Sequence, residues 1–395
     1  MPHFLASNIS LPSLPYMQED FTFVYEAIKC NDANQSLILV EYKQNAFFLR
    51  KQKRATKNNS ILKCEKSSAK VHTGVIKNAL KILSKHQDSL ISHNLNNNSP
   101  RQNLQSPYFK PIEFFLDFRD RFIMEIGFGS GRHLLHLAQN NPHRICIGVE
   151  IHTPSIEQIL RQIELLGLEN LFIINADARV LLEILPDSKA DRIYLHFPVP
   201  WNKKPHRRVF SARFLQEVLR VLDENAFLHL RSDDEIYFKD TLNLALNEPL
   251  LHLEVYKNTK LDITSKYEAR WERQQKDIYD MKIFKQNGEK NTKNVQNNQN
   301  RFSFDKILRK NVDNYTDFSY KKIAKDWFLH IDGLYCAGDM YVMTLCFGDF
   351  FQPQNAFLQI AFYPTLSAHY IGGDPIPTQA AIKAHTHLMQ ILTQE

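Results

Sequence analysis

The chain has 395 residues, with 49 Lys and Arg against 43 Asp and Glu and a formal net charge of +6; at roughly 150 residues per domain this predicts two to three domains. No window approaches the ~18 uninterrupted apolar residues of a membrane-spanning helix, and the start Met1-Pro2-His3-Phe4-Leu5 lacks the basic and apolar regions of a secretory signal. Five scattered cysteines (Cys30, Cys64, Cys146, Cys336 and Cys346), with no Cys-x-x-Cys or Cys/His ligand spacing, are expected to be reduced, without a structural zinc site, in a cytoplasmic protein.

Two asparagine-rich stretches, 93–107 and 285–314, read as linkers, because segments so poor in apolar residues bury too little surface to offset chain entropy. The part before them, 1–92, carries strand-like runs at 36–42 and 46–50 and a helical pattern near 75–85. The part after them, 315–395, has strand-like runs at 340–347 and 356–362 and closes with a helical stretch at 378–392. Each is expected to be a small mixed α/β or β-rich flanking domain, and neither carries a catalytic signature.

Between the linkers, 108–284 alternates strand and helix signals. A strand at 121–126 enters a glycine-rich turn, and the following helix stops at Asn140-Asn141-Pro142. A second strand at 144–150 leads to a helix with Pro154 at its start, Ile156, Ile159, Leu160 and Ile163 on one face and Gly167 after its end. Strands at 171–175 and 192–197 follow. A helix capped by Ser211 carries Phe214, Leu215, Val218 and Leu222, and a fifth strand at 226–230 precedes a helix at 235–246 that one of Ser232, Asp233 or Asp234 should cap. This order argues an α/β domain with a doubly wound, mostly parallel, Rossmann-like sheet covered on both faces.

Chemistry concentrates at the strand ends. Glu125-Ile126-Gly127-Phe128-Gly129-Ser130-Gly131 places three of the chain's twelve glycines within five residues, where glycine permits a tight turn and close backbone approach to a ligand. A dinucleotide fingerprint needs its third glycine at relative position six, which is Arg132 here, so a dehydrogenase is disfavoured. Glu150 ends the second strand, where a carboxylate can accept both ribose hydroxyls of an adenosine, or can stand as an exposed strand-end acid. Asp177 follows the third strand, where it can meet an adenine amino group. After the fourth strand, prolines stiffen a loop in which Phe197 or Trp201 can pack on a base and Lys203, Lys204, Arg207 and Arg208 suit phosphates. The plainer reading is a solvated basic loop.

Taken together, Glu125 to Gly131, Gly148-Val149-Glu150-Ile151-His152, Asp177-Ala178, Phe197-Pro198-Val199-Pro200-Trp201-Asn202-Lys203-Lys204, Ser232-Asp233-Asp234-Glu235 and Ser265-Lys266-Tyr267-Glu268-Ala269-Arg270 resemble the bacterial tRNA guanine-N7 methyltransferase family, in order, over about 110–284. The resemblance implies a class I methyltransferase fold and an S-adenosylmethionine site at Glu125, Gly127, Gly129, Glu150 and Asp177. It implies tRNA contacts by Lys203, Asp233, Ser265, Lys266, Tyr267 and Glu268, a variable-loop guanine as target, and no metal or membrane; a monomer is the simplest assembly. The extensions 1–92 and 315–395 have no counterpart in the family's short form.

Three positions depart from the family: Ser265 replaces the Thr and Trp271 the Gly of the late motif, and the important change lies in the loop after the fourth strand. The family's loop reads Phe-Pro-Asp-Pro-Trp, and the aspartate position is Val199 here. Guanine N7 is an unprotonated acceptor, so it can attack a sulfonium methyl without a general base, and holding it about 3–3.5 Å from the methyl supplies most of the rate. Asp233 or Glu268 is then the candidate carboxylate for the guanine N1–H and amino group. An active enzyme is expected; the alternative is a methyltransferase-fold RNA-binding protein with weak or no turnover.

Overall fold

The computed structural model describes residues 2–43, 45–54, 58–65, 71, 73–96, 106–260, 276–285, 302–317 and 319–394. The chain divides into two compact units, one formed by 104–298 and one by 1–103 together with 299–395. Among the described residues no helix is long and apolar enough to cross a membrane.

In the unit 104–298, strands β1 (Phe122–Ile126), β2 (Ile145–Glu150), β3 (Leu171–Asn175), β4 (Ala190–His196) and β5 (Leu222–Ser232) alternate with helices α1 (Arg132–Asn140), α2 (Thr153–Leu166), α3 (Ala178–Ile184), α4 (Ala212–Val221) and α5 (Glu235–Leu246), followed by β6 (Leu251–Lys257) and β7 (Tyr279–Lys285). The sheet order is β3-β2-β1-β4-β5-β7-β6. The first five strands are parallel, and β7 runs antiparallel between β5 and β6. The strand order reverses between β1 and β4, and such a reversal opens a ligand crevice at the carboxyl ends of the strands.

The apolar stripes account for the packing. Leu134, Leu137 and Ala138 of α1 and Ile156, Ile159, Leu160 and Ile163 of α2 bury against Ile123, Cys146, Leu171 and Ile173 of the sheet, a helical spacing meeting a period of two. Phe122 and Met124, which alternate with Ile123, are buried too, so β1 is covered on both faces. Gly148 lets α1 close down on β2, since a Cβ there would lie 2.4 Å from Leu134. Ser211 caps α4 through the Phe214 N–H, Gly167 ends α2 in the left-handed conformation, and Asp234 is the residue that caps α5.

The flanking parts depart from expectation. They are not two separate domains: strands of 2–96 and of 302–394 join one twelve-stranded sheet. The seam is an antiparallel pairing of Phe328–Ala337 with Phe21–Lys29, in register Tyr335 to Lys29 and Cys336 to Ile28. That register brings Cys30 beside Cys336, and the two form a disulfide, so the expectation of five reduced cysteines fails at this pair; Cys64, Cys146 and Cys346 are free. Each half has its own core under a helix, Thr73–Ser84 in the first and Gln379–Thr393 in the second. A third cluster draws Leu37, Leu39 and Phe48 from one half and Tyr335, Val342 and Phe357 from the other.

The linkers shrink as well. Leu95 is buried in the first core, and the Lys77 ammonium donates to the Asn96 carbonyl at 3.0 Å. Phe302, Ile307 and Val312 belong to the second core, with a short helix at Arg309–Asp313. Polar composition concealed these anchors because they are few apolar residues among many polar ones. The shared cluster predicts that Phe357→Ala, which removes a ring 4.5 Å from Phe48, costs about 3–5 kcal/mol in urea unfolding of this unit; a loss below about 1 kcal/mol would contradict a common core for the two halves.

Candidate active site

The turn between β1 and α1 is built of left-handed residues: φ is +68° at Gly127, +53° at Gly129 and +73° at Gly131. It is packed on one side and open on the other. A Cβ at Gly131 would lie 2.5 Å from Ile159, whereas one at Gly127 would meet nothing within 4 Å. The Gly127 N–H donates to Val149 at 2.8 Å, tying the turn to β2. Glu150 completes the tie. One carboxylate oxygen accepts from the Gly129 N–H at 3.1 Å, and the other accepts from the N–H groups of Ile151 and His152 at 2.8 and 3.0 Å. A carboxylate has about four lone-pair sites, so one remains for a ligand hydroxyl.

The other two predicted acids have protein partners. Glu125 is buried at the end of β1, and Nδ1 of His133 lies 3.0 Å from its Oε2. Asp177 caps α3 through the Arg179 N–H at 2.9 Å and is bridged by the Arg179 guanidinium, with Nε at 3.0 Å and Nη2 at 2.6 Å. The fold thus joins Gly129 and Glu150 directly, while Glu125 is bonded to α1 through His133 and Asp177 is held by the first turn of α3.

The loop after β4 divides its basic residues by role. Arg208 is buried: its guanidinium donates to the Pro200 carbonyl at 2.6 Å and to Asn202 Oδ1 at 2.9 Å, pairs with Asp240, and lies 5.2 Å from the Tyr237 ring. It is the tie that shapes the loop, which corrects its assignment as a phosphate ligand. Lys203, Lys204 and Arg207 are exposed, with the Arg207 guanidinium 5.3 Å from the Trp201 ring. Phe197 and Trp201 take positive φ, +50° and +45°, and Val199 is 62% exposed. Asp233, just past β5, pairs with Lys276 at 3.3 Å. Ser265, Lys266, Tyr267 and Glu268 lie outside the described residues.

Sequence reasoning missed a buried polar chain. Nε2 of His196 lies 3.2 Å from Nδ1 of His229, whose Nε2 is 2.9 Å from Asp280; Arg231 donates to both oxygens of Asp280 at 2.7 and 2.8 Å. The His133 and His196 rings are 4.7 Å apart. A cavity of about 300 Å³ lies alongside, lined by His133, Asn141, Arg192, Tyr194, His229 and Lys282 among others. The signal was present as polar residues at alternate positions of two core strands: Arg192, Tyr194 and His196, then His229 and Arg231. Burial, with the neighbouring His229, pushes His196 well below the ordinary imidazole range. Burial also lowers His229, against the raising effect of Asp280.

Residues 119–281 match a family model described as a putative methyltransferase. The chain is 68% identical to the tRNA (guanine-N(7)-)-methyltransferase of Helicobacter hepaticus, across the whole of both sequences. The chain belongs to the tRNA (guanine-N(7)-)-methyltransferase family. The protein of that name from Helicobacter pylori strain 26695 is 40% identical over 100% of this chain and 99% of its own length, and one from Campylobacter jejuni is 34% identical over 99% and 98%. These relatives span both extensions as well as the methyltransferase unit. A solved rRNA methylase from Streptococcus thermophilus aligns with 45% of this chain and 94% of its own at a TM-score of 0.31 and 12% identity, a likeness too low to add to the strand order.

The polar chain predicts a pH dependence. Folding lowers the pKa of His196 and of His229, so below about pH 6.5 the unfolded chain takes up protons before the folded one does. Their contribution is therefore fully present above that value and lost as the pH falls through the lowered folded values. Urea unfolding in EDTA-containing buffers should show a lower midpoint at pH 5 than at pH 7.5, with a smaller drop in His196→Asn; an equal drop would sink the assignment.

Proposed function

We propose that this chain transfers the methyl group of S-adenosylmethionine to N7 of a variable-loop guanine in tRNA, on a doubly wound class I methyltransferase unit. Within a family whose members are named tRNA (guanine-N(7)-)-methyltransferases, the observation that carries the reading is the glycine turn bonded to Glu150 at the carboxyl ends of β1 and β2. The cradle fits the cofactor: Gly127 leaves open space where a side chain would stand, and Glu150 keeps acceptor capacity for a ribose hydroxyl. Glu125 beneath the turn and Asp177 at the start of α3 complete the set.

S-adenosylmethionine supplies an electrophilic methyl on a sulfonium. The protein's work is to hold the guanine, because N7 already carries its lone pair. The loop after β4 offers Phe197 and Trp201 as faces for the base, with Arg207 beside the indole, while Lys203 and Lys204 stand exposed for phosphates. Val199 provides no carboxylate. Because β5 pairs with β4, Asp233 follows the neighbouring strand, and it accepts from the guanine N1–H and amino group and stabilises the cation formed by methylation. A cytoplasmic monomer fits this substrate. A binding protein without turnover is less favoured, since the full-length relatives are named as methyltransferases.

The decisive experiment is nucleoside analysis of unmodified tRNA before and after incubation with the protein and S-adenosylmethionine. New 7-methylguanosine is expected; its absence, with both ligands bound in titration calorimetry, would leave the binding protein. Lys203→Ala should weaken tRNA binding, reduce the log–log salt slope by about one and leave stability within about 0.5 kcal/mol. Asp233→Asn should lower kcat about 10- to 100-fold, the worth of one hydrogen bond to a charged group, with S-adenosylmethionine affinity unchanged; an unaltered kcat would exclude Asp233.

A further inference from the structure

The cofactor crevice leaves the histidines beside it without a role. Glu125 on β1, His133 on α1 and His196 on β4 each bring one ligand atom within 4.8 Å of the other two. The direction of the hydrogen bonds decides what those nitrogens carry. Asp280, doubly bonded to Arg231, only accepts, so it takes the proton of His229 Nε2 at 2.9 Å and leaves His229 Nδ1 with a lone pair. His196 Nε2, 3.2 Å away, must then donate to that lone pair, and Nδ1 of His196 is unprotonated. On the other side Nδ1 of His133 and Oε2 of Glu125 lie 3.0 Å apart, close to the separation of two ligands on one ion, so an ion there takes the place of the proton between them and the ring keeps its own proton on Nε2. The His196 lone pair, Nδ1 of His133 and the Glu125 carboxylate thus gather in one semi-enclosed place.

We propose that Glu125, His133 and His196 bind one divalent transition-metal ion, with Asp280 and His229 as the relay that orients His196. Neutral imidazole and carboxylate suit Zn²⁺ or Co²⁺, whereas Mg²⁺ and Ca²⁺ prefer all-oxygen sites. A histidine ligand is commonly fixed through its second nitrogen by a carboxylate or its relay, which is the part Asp280 and His229 play. His133 lines the cavity of about 300 Å³, which provides access for the ion and room for a water as fourth ligand. Ligand atoms about 2.1 Å from zinc in a tetrahedron sit roughly 3.4 Å apart, and since all three lie within 4.8 Å of one another, no pair must close by more than about 1.4 Å, a distance side-chain torsions cover. A carboxylate has two oxygens, so ligation through one does not withdraw Glu125 from the cofactor crevice. The bound ion would clamp β1, α1 and β4 together beside the glycine turn.

The test uses the full-length chain, stripped with a chelator and titrated calorimetrically with Zn²⁺, Co²⁺ and Mg²⁺ in the absence of S-adenosylmethionine and tRNA. One tight equivalent of Zn²⁺ or Co²⁺ and no heat from Mg²⁺ is expected, with visible ligand-field bands from bound Co²⁺. His133→Gln should weaken binding more than about 100-fold and Asp280→Asn about 10- to 100-fold. His136→Gln, which changes another residue lining the cavity, should bind as the unmodified chain does. No saturable uptake, unchanged affinity in His133→Gln, or an equal loss in His136→Gln overturns the site. If His133→Gln does not fold, paramagnetic NMR of the Co²⁺ form of the unmodified chain decides, two histidine ligands supporting the site and any other number refuting it. Because neither substrate is present, failure here leaves the methyl-transfer reading standing, and loss of methyl transfer leaves this one standing.

Discussion

The carboxylate of Glu150 gathers three backbone N–H groups, one from the glycine turn after β1 and two from its own continuation beyond β2. Backbone donors at a strand end otherwise face water or a ligand, and here one side chain collects them into a single rigid corner. The rest of the methyltransferase unit serves that corner. α1 and α2 press on it through Leu134 and Ile159, and the absence of side chains at Gly148 and Gly131 lets them come that near. The reversal of strand order between β1 and β4 leaves the corner open above.

A second polar system supports the sheet's other half. Arg231, Asp280, His229 and His196 cross three neighbouring strands. A buried ion pair is weak grounds for stability, since desolvation offsets much of the attraction, and a chain of this kind is better understood through what it orients. Each bond in it fixes the proton of the next, so the state of the last imidazole is set by an aspartate two residues away along the relay. The loop following His196 is held by another buried guanidinium, that of Arg208, which bonds Pro200, Asn202 and Asp240. The exposed cations of the loop therefore ride on a scaffold made by a buried one. Residues 104–298 contain as many acidic as basic side chains, so the loop's positive character is a local contrast and the +6 surplus lies in the other unit.

Much of this was legible in the one-dimensional pattern. The glycine turn, the acids at the strand ends and the helix caps at Ser211 and Gly167 are local features, in which neighbours along the chain make the structure. The strands at 251–257 and 279–285 were not legible, because β6 and β7 pair antiparallel across a long separation and carry polar residues on a half-open face. Nor were the flanks: their union depends on two residue pairs, a shared apolar cluster and a disulfide between cysteines 306 positions apart, and no local periodicity encodes a partner at that distance. Arg208 read as one more cation in a basic run, and only packing distinguishes a buried guanidinium from an exposed one.

The sequence by itself determined the family, most of the strand–helix order of 121–246 and the residues from which the glycine-turn corner is made, since these rest on short-range spacing of glycine, acid and apolar positions. Tertiary structure alone decided which of those acids have partners, that the two extensions form one sheet, and that Glu125, His133 and His196 meet. Such facts are set by which strands lie side by side, and side-by-side placement is a property of the whole folded chain.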